Sequence, residues 1–420
     1  MTQRIKVLTI SDIFPTAAHP VFGVFVERLI HHLRGDCDQT VVVPYRVFPP
    51  AILFRSMVRP KSTMEGFRGW LDEVGRIPAQ ADFDGVDVFY QRYTSPPRPV
   101  LHGTWGFFAY AALKRKLRSL HREKGFDLIH AHYASPSGVV ALLAARWMHI
   151  PVVVSVHGAD VTYTARQRIA GSSVVRWVFQ HADAIVANST WTAGRIIHYG
   201  GRPEKVRVIY LGTELDGGGT PASLREDGLP EPSISLLSVG NLLRNKGHAL
   251  VLAAMLKLVE MGYPIEYTIV GDGPERSELE AIAANPPLAG RVHFVGSVPH
   301  QEVWAYYRAC DIFVLASRVE GFGLVFIEAL AAGKPVIGCR GTGGPEDLKA
   351  LGDCIELVDP DDVDELVDAL GRLAGDPKRR RRMGELGRSI VAERFTWEKA
   401  ARETVQVYDQ VIAGHSSFDA

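Results

Sequence analysis

Short apolar runs rich in β-branched residues alternate along the chain with longer segments of helical periodicity. In the first half these runs are Ile5–Ile10, Thr40–Val43, Val86–Tyr90, Leu128–His130, Val152–Val156 and Ala184–Ala187. In the second half they are Ser235–Val239, Ile265–Val270, Val292–Val295, Ile312–Leu315, Pro335–Gly338 and Cys354–Val358. Because strands that alternate with helices are joined by crossovers, the pattern predicts an α/β fold with two doubly wound, Rossmann-like parallel sheets.

A glycine-rich stretch without periodicity separates the two halves. It begins near Val208 and includes Gly217–Gly219, and residues 223–233 are also irregular. A chain of 420 residues is too long for one ordinary hydrophobic core. We therefore expect an N-terminal domain over residues 1–213 and a C-terminal domain over residues 214–396. Ligands of such folds bind outside the carboxyl ends of the strands, which predicts a central cleft that both domains face.

Composition and charge limit the classes of function. The hydrophobic fraction of 46% and the charged fraction of 22% are those of a soluble globular protein. The 47 basic and 47 acidic residues cancel, so no nucleic-acid partner is expected. The basic run Lys378–Arg382 follows Asp376 and Pro377. It predicts the solvated start of a helix, with a membrane-surface patch as the alternative.

The cysteines and the N-terminus predict the compartment. The four cysteines are scattered without a CxxC pair, which argues against zinc and disulfides and fits a reducing cytoplasm. The first ten residues enter a strand directly and lack the apolar region of a signal peptide. The longest apolar stretch, Val139–Val156, is interrupted by charged residues and a proline and predicts no membrane span. We expect a cytoplasmic protein with at most peripheral contact to the inner face of the membrane.

Residues 44–82 are the least regular part of the chain. Five prolines break any long element there, and arginines are interleaved with aromatic residues. The segment is either an excursion packed on the first domain or a lobe that contacts the acceptor or a membrane.

The segment Glu320-Gly321-Phe322-Gly323 carries the clearest chemical signal. It follows an apolar strand, and Glu328 lies eight positions after Glu320 on an apolar helix that ends at Gly333. A glycine-rich turn before a helix is an anion site, because the first N–H groups lack partners and the helix dipole is positive there. A carboxylate beside it accepts hydrogen bonds from hydroxyls. Phosphate and hydroxyl groups together indicate a nucleotide-sugar.

This Glu-x7-Glu spacing within Glu-Gly-Phe-Gly resembles the signature of the retaining glycosyltransferases of family 4, which have the GT-B fold. The resemblance covers nearly the whole chain and is strongest over residues 236–400. It implies transfer of a hexosyl group from a nucleoside-diphosphate sugar to an acceptor hydroxyl. By the same resemblance, Glu320 positions the donor sugar and Glu328 the ribose. The segment 397–420 is then a helix that crosses back to the N-terminal domain.

Two further turns of the second half resemble donor-binding turns of the family. In the first, Gly240 and Asn241 precede Lys246, which places an ammonium near the diphosphate. Asn241 stands where the family has an arginine, and Arg244 is a candidate substitute. The second turn, at Gly271, resembles one beside the base and ribose; a purely structural tight turn is an equal alternative.

The glycines at 341–344 predict another anion site. Gly343 and Gly344 follow a strand, and consecutive glycines free backbone N–H groups to form a nest. We expect backbone contacts to the donor from both, a structural role for Glu346, and a helix that starts at Pro345.

The first domain contributes His157-Gly-Ala-Asp160 at a strand end. It resembles the family motif in which the histidine faces the transferring sugar, so we expect His157 to be catalytic and Asp160 to lie on the acceptor side. A structural histidine is the alternative. Gly23, at a helix start, lets the acceptor approach the backbone. His130 and His132 are interpreted as structural or acceptor-side.

No metal and no cofactor are expected. Asp36-Cys37-Asp38 looks like a metal-binding DxD, but we place it at the end of the first helix and interpret it as chance. No GxGxxG follows the first strand, which argues against an NAD enzyme.

Several functions remain open at this point. The predicted partners are a nucleotide-sugar donor and a sugar, lipid-linked sugar or small-molecule acceptor. The N-terminal sequence looks most like bacterial cell-surface polysaccharide enzymes, and a natural-product transferase is an alternative. A non-hydrolysing nucleotide-sugar epimerase and a sugar phosphorylase use the same fold. A degenerate binding protein is a further alternative because of Asn241.

Overall fold

The computed structural model describes residues 4–16, 22–47, 72, 74–96, 102–167, 170–215 and 233–416. The chain forms two compact units. The first contains Met1–Asn188, Thr192–Ile209 and Ala400–Ala420, and the second contains Ser189–Trp191 and Tyr210–Lys399. Most of the irregular segment 44–82 and the glycines 217–219 lie outside the described residues.

The first unit is built on an eight-stranded sheet. Its strands are β1 (Ile5–Ser11), β2 (Cys37–Arg46), β3 (Gln80–Phe83), β4 (Val86–Tyr93), β5 (Leu128–His132), β6 (Val152–Val156), β7 (Ala184–Ala187) and β8 (Val206–Val208). The order is β3-β4-β2-β1-β5-β6-β7-β8, and all pairs are parallel except β3 with β4. The strand order reverses between β1 and β5, so ligands are expected at the carboxyl ends of these strands.

Helices cover this sheet because its central strands are apolar on both faces. Every residue of β5 and β6 is buried, as expected for a parallel sheet between helical layers. The longer helices of the described residues are α1 (Val24–Leu33), α2 (Trp105–Lys124), α3 (Val139–Met148), α4 (Gly171–His181) and α5 (Thr190–His198), and a four-residue helix spans Ala159–Thr162. In α1 the buried residues are Val26, Leu29, Ile30 and Leu33, which is the spacing of one helical face.

The second unit is a six-stranded, wholly parallel sheet. Its strands are β9 (Ile234–Val239), β10 (Ile265–Val270), β11 (Val292–Gly296), β12 (Ile312–Val314), β13 (Val336–Cys339) and β14 (Ile355–Val358). The order is β11-β10-β9-β12-β13-β14, which is the classical dinucleotide-fold order with its reversal between β9 and β12.

Seven helices of this part of the chain follow the strands. They are α6 (His248–Glu260), α7 (Arg276–Ala283), α8 (His300–Ala309), α9 (Leu324–Ala331), α10 (Gly343–Leu351), α11 (Val363–Gly375) and α12 (Pro377–Arg394). The last helix, α13 (Trp397–Ser416), begins in the second unit, and from Ala400 onward it belongs to the first. The basic run Lys378–Arg382 lies at the start of α12, as the sequence predicted.

The twelve predicted strands are all present, and four details differ. The sequence did not predict β3 and β8, because one is a four-residue, half-exposed edge strand and the other has three residues. Val208, predicted to begin the linker, is the last residue of β8. Helix α10 begins at Gly343 and not at Pro345. Cys37 and Asp38 begin β2 and do not end the first helix.

Charge along the long helices bears on membrane insertion. The 20 residues of α2 include Lys114, Arg115, Lys116, Arg118 and Arg122, and α13 is also interrupted by charged residues. Over the described part of the chain, no helix is both long and apolar enough to cross a membrane.

Candidate active site

The strand-order reversal of the second unit brings together two residues of opposite charge. Lys246 lies in the loop after β9, and Glu320 lies in the loop after β12. The Lys246 Nζ donates a hydrogen bond of 2.6 Å to Oε2 of Glu320. The Lys246 and Glu320 side chains are only 20% and 13% exposed, so solvent screens this ion pair weakly. Both residues were predicted as donor-binding or catalytic, but their direct contact was not predicted.

The loops that carry these residues touch through their backbones. Gly247 has φ +75°, and a Cβ at this position would lie 2.0 Å from the carbonyl oxygen of Ala316. The Arg318 N–H donates to the Asn245 carbonyl at 2.8 Å. Only glycine at 247 permits this approach, which brings the ammonium of Lys246 within reach of Glu320.

The loop after β13 packs against the Glu320 loop in the same way. A Cβ on Gly343 would lie 1.9 Å from the Gly321 carbonyl oxygen, and one on Gly344 would lie 1.7 Å from that of Phe322. The Gly343 N–H donates to the Glu320 carbonyl at 2.9 Å. The sequence predicted that the N–H groups of these glycines contact the donor. In this structure the Gly343 N–H is used within the protein, and the absence of side chains lets the two loops meet.

Three helices begin at this edge of the sheet without a side-chain cap. The N-cap residues of α6, α9 and α10 are Gly247, Gly323 and Thr342, and none makes a side-chain capping hydrogen bond. The Thr342 hydroxyl donates instead to the Cys339 carbonyl. Because helix N-termini attract anions, their convergence near Lys246 provides a site suited to phosphate groups.

Two other helices of the unit have a side-chain cap. Asp362 accepts a hydrogen bond from the Glu365 N–H at the start of α11, and Asp376 accepts one from the Arg379 N–H at the start of α12. The helices α7 and α8 also lack a side-chain cap, so the three uncapped N-termini are significant only because they lie near Lys246.

Glu328 lies on α9, and its carboxylate is held from α8. It accepts hydrogen bonds from the Tyr307 hydroxyl at 2.7 Å and from Nε2 of His300 at 3.0 Å. Glu328 is only 6% exposed. The sequence motif predicts a role for Glu328, whereas neither of its two partners was predicted. The position of His300, immediately after the loop at the carboxyl end of β11, is the one signal that could have indicated it.

The turn at Gly271 supports the loop that begins at Gly240. A Cβ on Gly271 would lie 2.0 Å from the Gly240 carbonyl oxygen, and one on Gly273 would lie 2.5 Å from that of Leu242. This close packing is a structural role, one of the two alternatives that the sequence left open. Asn241 and Arg244 are exposed on the supported loop.

The Phe322 side chain is buried, although its place in the motif suggests contact with the donor. It is 3% exposed, and its ring packs against Tyr210 and Phe395 at centroid distances of 5.8 and 5.7 Å. Its side chain is therefore part of the core, and only its main chain and that of its neighbours are available to a ligand. Gly323 has φ +79°, which lets the chain turn into α9.

In the first unit, His157 follows β6 and contacts a second histidine. Its Nε2 lies 3.0 Å from Nδ1 of His132, and the two rings stack at 5.3 Å. Phe25 and Tyr133 also contact the His157 ring, at 4.7 and 5.2 Å. Burial lowers the pKa of His157 to about 3, so the imidazole is neutral at neutral pH. A neutral imidazole has one N–H donor and one acceptor nitrogen.

Asp160 and Gly23, predicted on the acceptor side, both make structural contacts. Asp160 is fully buried and accepts hydrogen bonds from the backbone N–H groups of Ala134 and His157, at 2.5 and 3.2 Å. Burial raises its pKa to about 7. Its carboxylate therefore fixes the His157 loop and has no exposed surface. Gly23 has φ +76°, and a Cβ there would lie 2.6 Å from the Ile13 backbone.

His130 has a structural environment. Its Nδ1 lies 2.6 Å from the Tyr408 hydroxyl of α13, and its Nε2 lies 2.8 Å from the Ser155 hydroxyl. Both ring nitrogens of His130 are therefore hydrogen-bonded within the protein. This agrees with a structural role, one of the two interpretations that the sequence allowed. His132 instead contacts His157, a pairing that the sequence did not reveal.

Possible metal ligands do not cluster in the described ranges. These residues include no group of three or more His, Cys, Asp or Glu side chains able to hold a metal ion. Asp38, of the apparent DxD, lies at the amino end of β2, and its carboxylate pairs with Arg4 at 3.1 Å.

Family models and solved structures agree with this architecture. A model described as glycosyl transferases group 1 matches residues 221–390, and one described as glycosyltransferase family 4 matches residues 72–216. D-inositol 3-phosphate glycosyltransferase from Streptomyces scabiei is 30% identical over 322 residues, which cover 71% of this chain and 71% of that protein.

Two solved structures show the same fold over almost the whole chain. Sucrose-phosphate synthase from Thermosynechococcus elongatus has a TM-score of 0.76 at 23% identity and covers 98% of this chain and 100% of its own. HepE from Anabaena, in complex with UDP and glucose, has a TM-score of 0.71 at 20% identity and covers 97% and 100%.

The two doubly wound units, together with the solved structures that share their fold, define a GT-B glycosyltransferase fold. The chain belongs to glycosyltransferase family 4 and is a transferase enzyme.

Proposed function

We propose that the enzyme transfers a hexosyl group from a nucleoside-diphosphate sugar to an acceptor hydroxyl and retains the anomeric configuration. The observation that carries the proposal is the Lys246–Glu320 pair at the strand-order reversal of the second unit, beside three helix N-termini without side-chain caps. An ammonium and helix N-termini suit a diphosphate, and a carboxylate suits sugar hydroxyls.

The leaving diphosphate is stabilised by positive charge from the protein. Lys246 and the N-termini of α9 and α10 offset the charge that develops as the sugar–phosphate bond breaks. Asn241 supplies no charge here, and Arg244, exposed on the same loop, takes the role of the second cation. With this charge in place the reaction proceeds without a metal.

Glu320 orients the donor sugar through its hydroxyls. Before the donor binds, its carboxylate is paired with Lys246. When the diphosphate enters, it shares the ammonium, and the Glu320 oxygens turn to the sugar hydroxyls. Glu328 accepts hydrogen bonds from the ribose. The neutral His157 serves as a hydrogen-bonding partner for the transferring sugar.

Among the described side chains at the proposed donor site, Glu320 is assigned to the sugar hydroxyls and Glu328 to the ribose, which leaves no evident nucleophile. We therefore favour attack by the acceptor oxygen on the same face from which the diphosphate departs. The acceptor O–H bond and the sugar–phosphate bond break, the new glycosidic bond forms, and the departing phosphate oxygen takes the acceptor proton. Exclusion of water during this step limits hydrolysis.

The relatives suggest which substrates to test first. HepE was solved with UDP and glucose, and the S. scabiei relative is named for D-inositol 3-phosphate. UDP-sugars are therefore the first donors to test, and phosphorylated polyols or sugars the first acceptors. Lipid-linked sugars are the next candidates, in keeping with a role in cell-surface polysaccharide or glycoconjugate synthesis.

A product assay tests the proposal. The purified chain is incubated with UDP-, GDP- or ADP-sugars and a panel of acceptors, with EDTA or with Mg²⁺, and products are analysed by mass spectrometry and NMR. We expect a new glycoside with the anomeric configuration of the donor, formed equally with EDTA. A product of inverted configuration would contradict the proposal. An epimerised nucleotide-sugar formed without acceptor would indicate the epimerase alternative.

A further inference from the structure

Glu328 is a carboxylate in an apolar helix. Its neighbours Phe326, Ile327, Ala329 and Leu330 are all buried, and Glu328 itself is 6% exposed. Removing an ionised carboxylate from water costs several kcal/mol unless hydrogen bonds replace the lost hydration. The position is therefore stable only because other residues supply donors.

Both donors come from α8, which lies against Glu328. The Tyr307 hydroxyl donates to Oε2 at 2.7 Å, and His300 Nε2 lies 3.0 Å from Oε1. Because an ionised carboxylate can only accept, the contacting nitrogen of His300 carries the hydrogen. Each carboxylate oxygen thus has one donor from the protein.

Tyr307 is held in a single orientation. It is 1% exposed, and its ring packs against Trp304 and Phe313 at centroid distances of 5.8 Å. Burial and the negative charge of Glu328 raise the pKa of the Tyr307 hydroxyl well above its ordinary value, so it remains a donor throughout the neutral range. The hydroxyl therefore fixes the direction of the Glu328 carboxylate.

The Glu328 carboxylate can still accept hydrogen bonds from the two hydroxyls of a ribose. An ionised carboxylate has about four lone-pair positions, and the protein uses two of them. The 2′- and 3′-hydroxyls of ribose are two donors on adjacent carbons, and 2′-deoxyribose retains only one. A Glu328 carboxylate that the protein holds in one direction distinguishes these two sugars. The 2′-deoxy sugar leaves one hydrogen-bonding position of the buried carboxylate unpaired, which weakens its binding.

We propose that Tyr307 is a positioning residue that acts through Glu328, assisted by His300, and that together they make the enzyme select ribonucleoside over 2′-deoxyribonucleoside diphosphate sugars. This inference rests on the proposed function, in which Glu328 binds the donor ribose. It assigns a role to two residues that never contact the reacting atoms.

The test measures sugar discrimination in the nucleotide. UDP, GDP and ADP are titrated into the full-length chain by calorimetry, and the tightest-binding one is compared with its 2′-deoxy form. In the wild type we expect the 2′-deoxy form to bind roughly tenfold more weakly. In Tyr307→Phe, which keeps the ring packing, we expect this ratio to fall to about twofold, because the carboxylate loses one donor and its fixed direction.

Matched variants separate the outcomes. Tyr306→Phe removes a hydroxyl from the neighbouring, partly exposed tyrosine and should leave the wild-type ratio unchanged. Glu328→Gln should lower the ratio as Tyr307→Phe does. If Tyr307→Phe does not fold, His300→Ala, at a side chain that is 40% exposed, must lower the ratio instead.

Each contrary result identifies what fails. If Tyr307→Phe keeps the wild-type ratio of affinities for the nucleotide and its 2′-deoxy form while Glu328→Gln lowers it, the inference is wrong. The proposed function then remains intact. A wild-type ratio in both variants, or equal binding of both nucleotides to the wild type, overturns the inference and the ribose role of Glu328. Binding of none of the three nucleoside diphosphates overturns the proposed function as well.

Discussion

At the scale of single residues, the second unit is organised by charges that are paired before any substrate is present. Lys246 is paired with Glu320, and Glu328 is held by Tyr307 and His300. Such pairs keep buried charges stable and also set what a ligand must displace. The Lys246–Glu320 pair should therefore affect the affinity for a nucleoside diphosphate as well as turnover.

Glu320→Gln should separate binding from turnover. The variant removes the charge that competes for Lys246, so we expect a nucleoside diphosphate to bind as tightly as in the wild type or roughly threefold to tenfold tighter. Turnover should fall by about a hundredfold or more, because the donor sugar loses its orienting carboxylate. Calorimetry and initial rates measure the two effects.

The exposed Glu278→Gln on α7 is the control and should change neither quantity. Weaker nucleotide binding in Glu320→Gln would contradict the competition between the diphosphate and Glu320. Unchanged turnover would remove Glu320 from the mechanism.

The sequence indicated only some of these residues. Glu320, Glu328 and Lys246 could be predicted because they lie in short motifs with fixed spacing next to predicted strand ends. Tyr307 and His300 could not, since they meet Glu328 only when two helices pack together. The contact of His132 with His157 depends in the same way on the register of β5 against β6.

At the scale of elements, glycines let three loops pack backbone against backbone. Gly344 has the closest approach, with 1.7 Å between a hypothetical Cβ and the Phe322 carbonyl oxygen. Such an approach fixes the Glu320 loop against the N-terminus of α10. It also predicts that a single methyl group at this position disturbs the whole site.

Gly344→Ala should therefore reduce both stability and binding. The added methyl group meets backbone atoms that cannot rotate away, so we expect a loss of roughly 1 to 3 kcal/mol or more in the free energy of unfolding. Nucleoside diphosphate affinity should fall at least about tenfold, because the loops separate. Denaturant unfolding and calorimetry measure these changes.

Gly375→Ala provides the matched control at the end of α11, where a Cβ would meet nothing within 4 Å. We expect it to be neutral in both measurements. A Gly344→Ala protein with wild-type stability would show that the backbones of the two loops are not in close contact.

The elements themselves were largely predictable. Central strands such as β6 are short, β-branched, largely apolar runs between helical segments, so their length and composition identified them. The edge strands β3 and β8 carry too few apolar residues to be distinguished from loop. The start of α10 was misplaced because Pro345 suits a first helical position, whereas the close packing of Gly343 and Gly344 lets the helix begin earlier.

At the scale of the whole molecule, the buried histidines of the first unit link stability to pH. Burial lowers the pKa of His130 and His157 to about 3, and the pKa of His132 lies well below its ordinary value. In the unfolded chain all three titrate near 6.5. Their contribution to stability is therefore complete above pH 6.5 and is lost as the pH falls towards 3.

Asp160 acts in the opposite direction. Its folded pKa of about 7 lies above the unfolded value of 3.8, so its contribution is complete below 3.8 and is lost as the pH rises through 7. Between pH 6 and 5 the three histidines and Asp160 together leave about two extra protons on the unfolded first unit. We expect its free energy of unfolding to fall by roughly 2 to 3 kcal/mol over that interval.

Denaturant unfolding at a series of pH values checks this expectation on the full-length chain. A free energy of unfolding that is flat or rises between pH 6 and 5 would mean that these histidines are hydrated or charged in the native protein. Arg207→Ala, an exposed change on β8, should preserve the pH slope.

The two-unit α/β architecture could be predicted from length and strand periodicity because both are properties of the chain as a whole. The order of strands in each sheet could not be taken from those patterns alone. It places Lys246 and Glu320 at the single reversal between β9 and β12. That placement turns two separate motifs into one site.

Calorimetric titration of UDP, GDP and ADP into the wild type and into Lys246→Ala tests the central claim most directly. Lys257→Ala, an exposed lysine of α6 paired with Asp364, is the control and should match the wild type. We predict that one nucleoside diphosphate binds the wild type and that Lys246→Ala weakens its binding roughly tenfold to a hundredfold, as expected for one lost charge-assisted contact. Equal affinity in Lys246→Ala, or binding of none of the three to the wild type, would contradict the assignment of this site to a nucleotide-sugar donor.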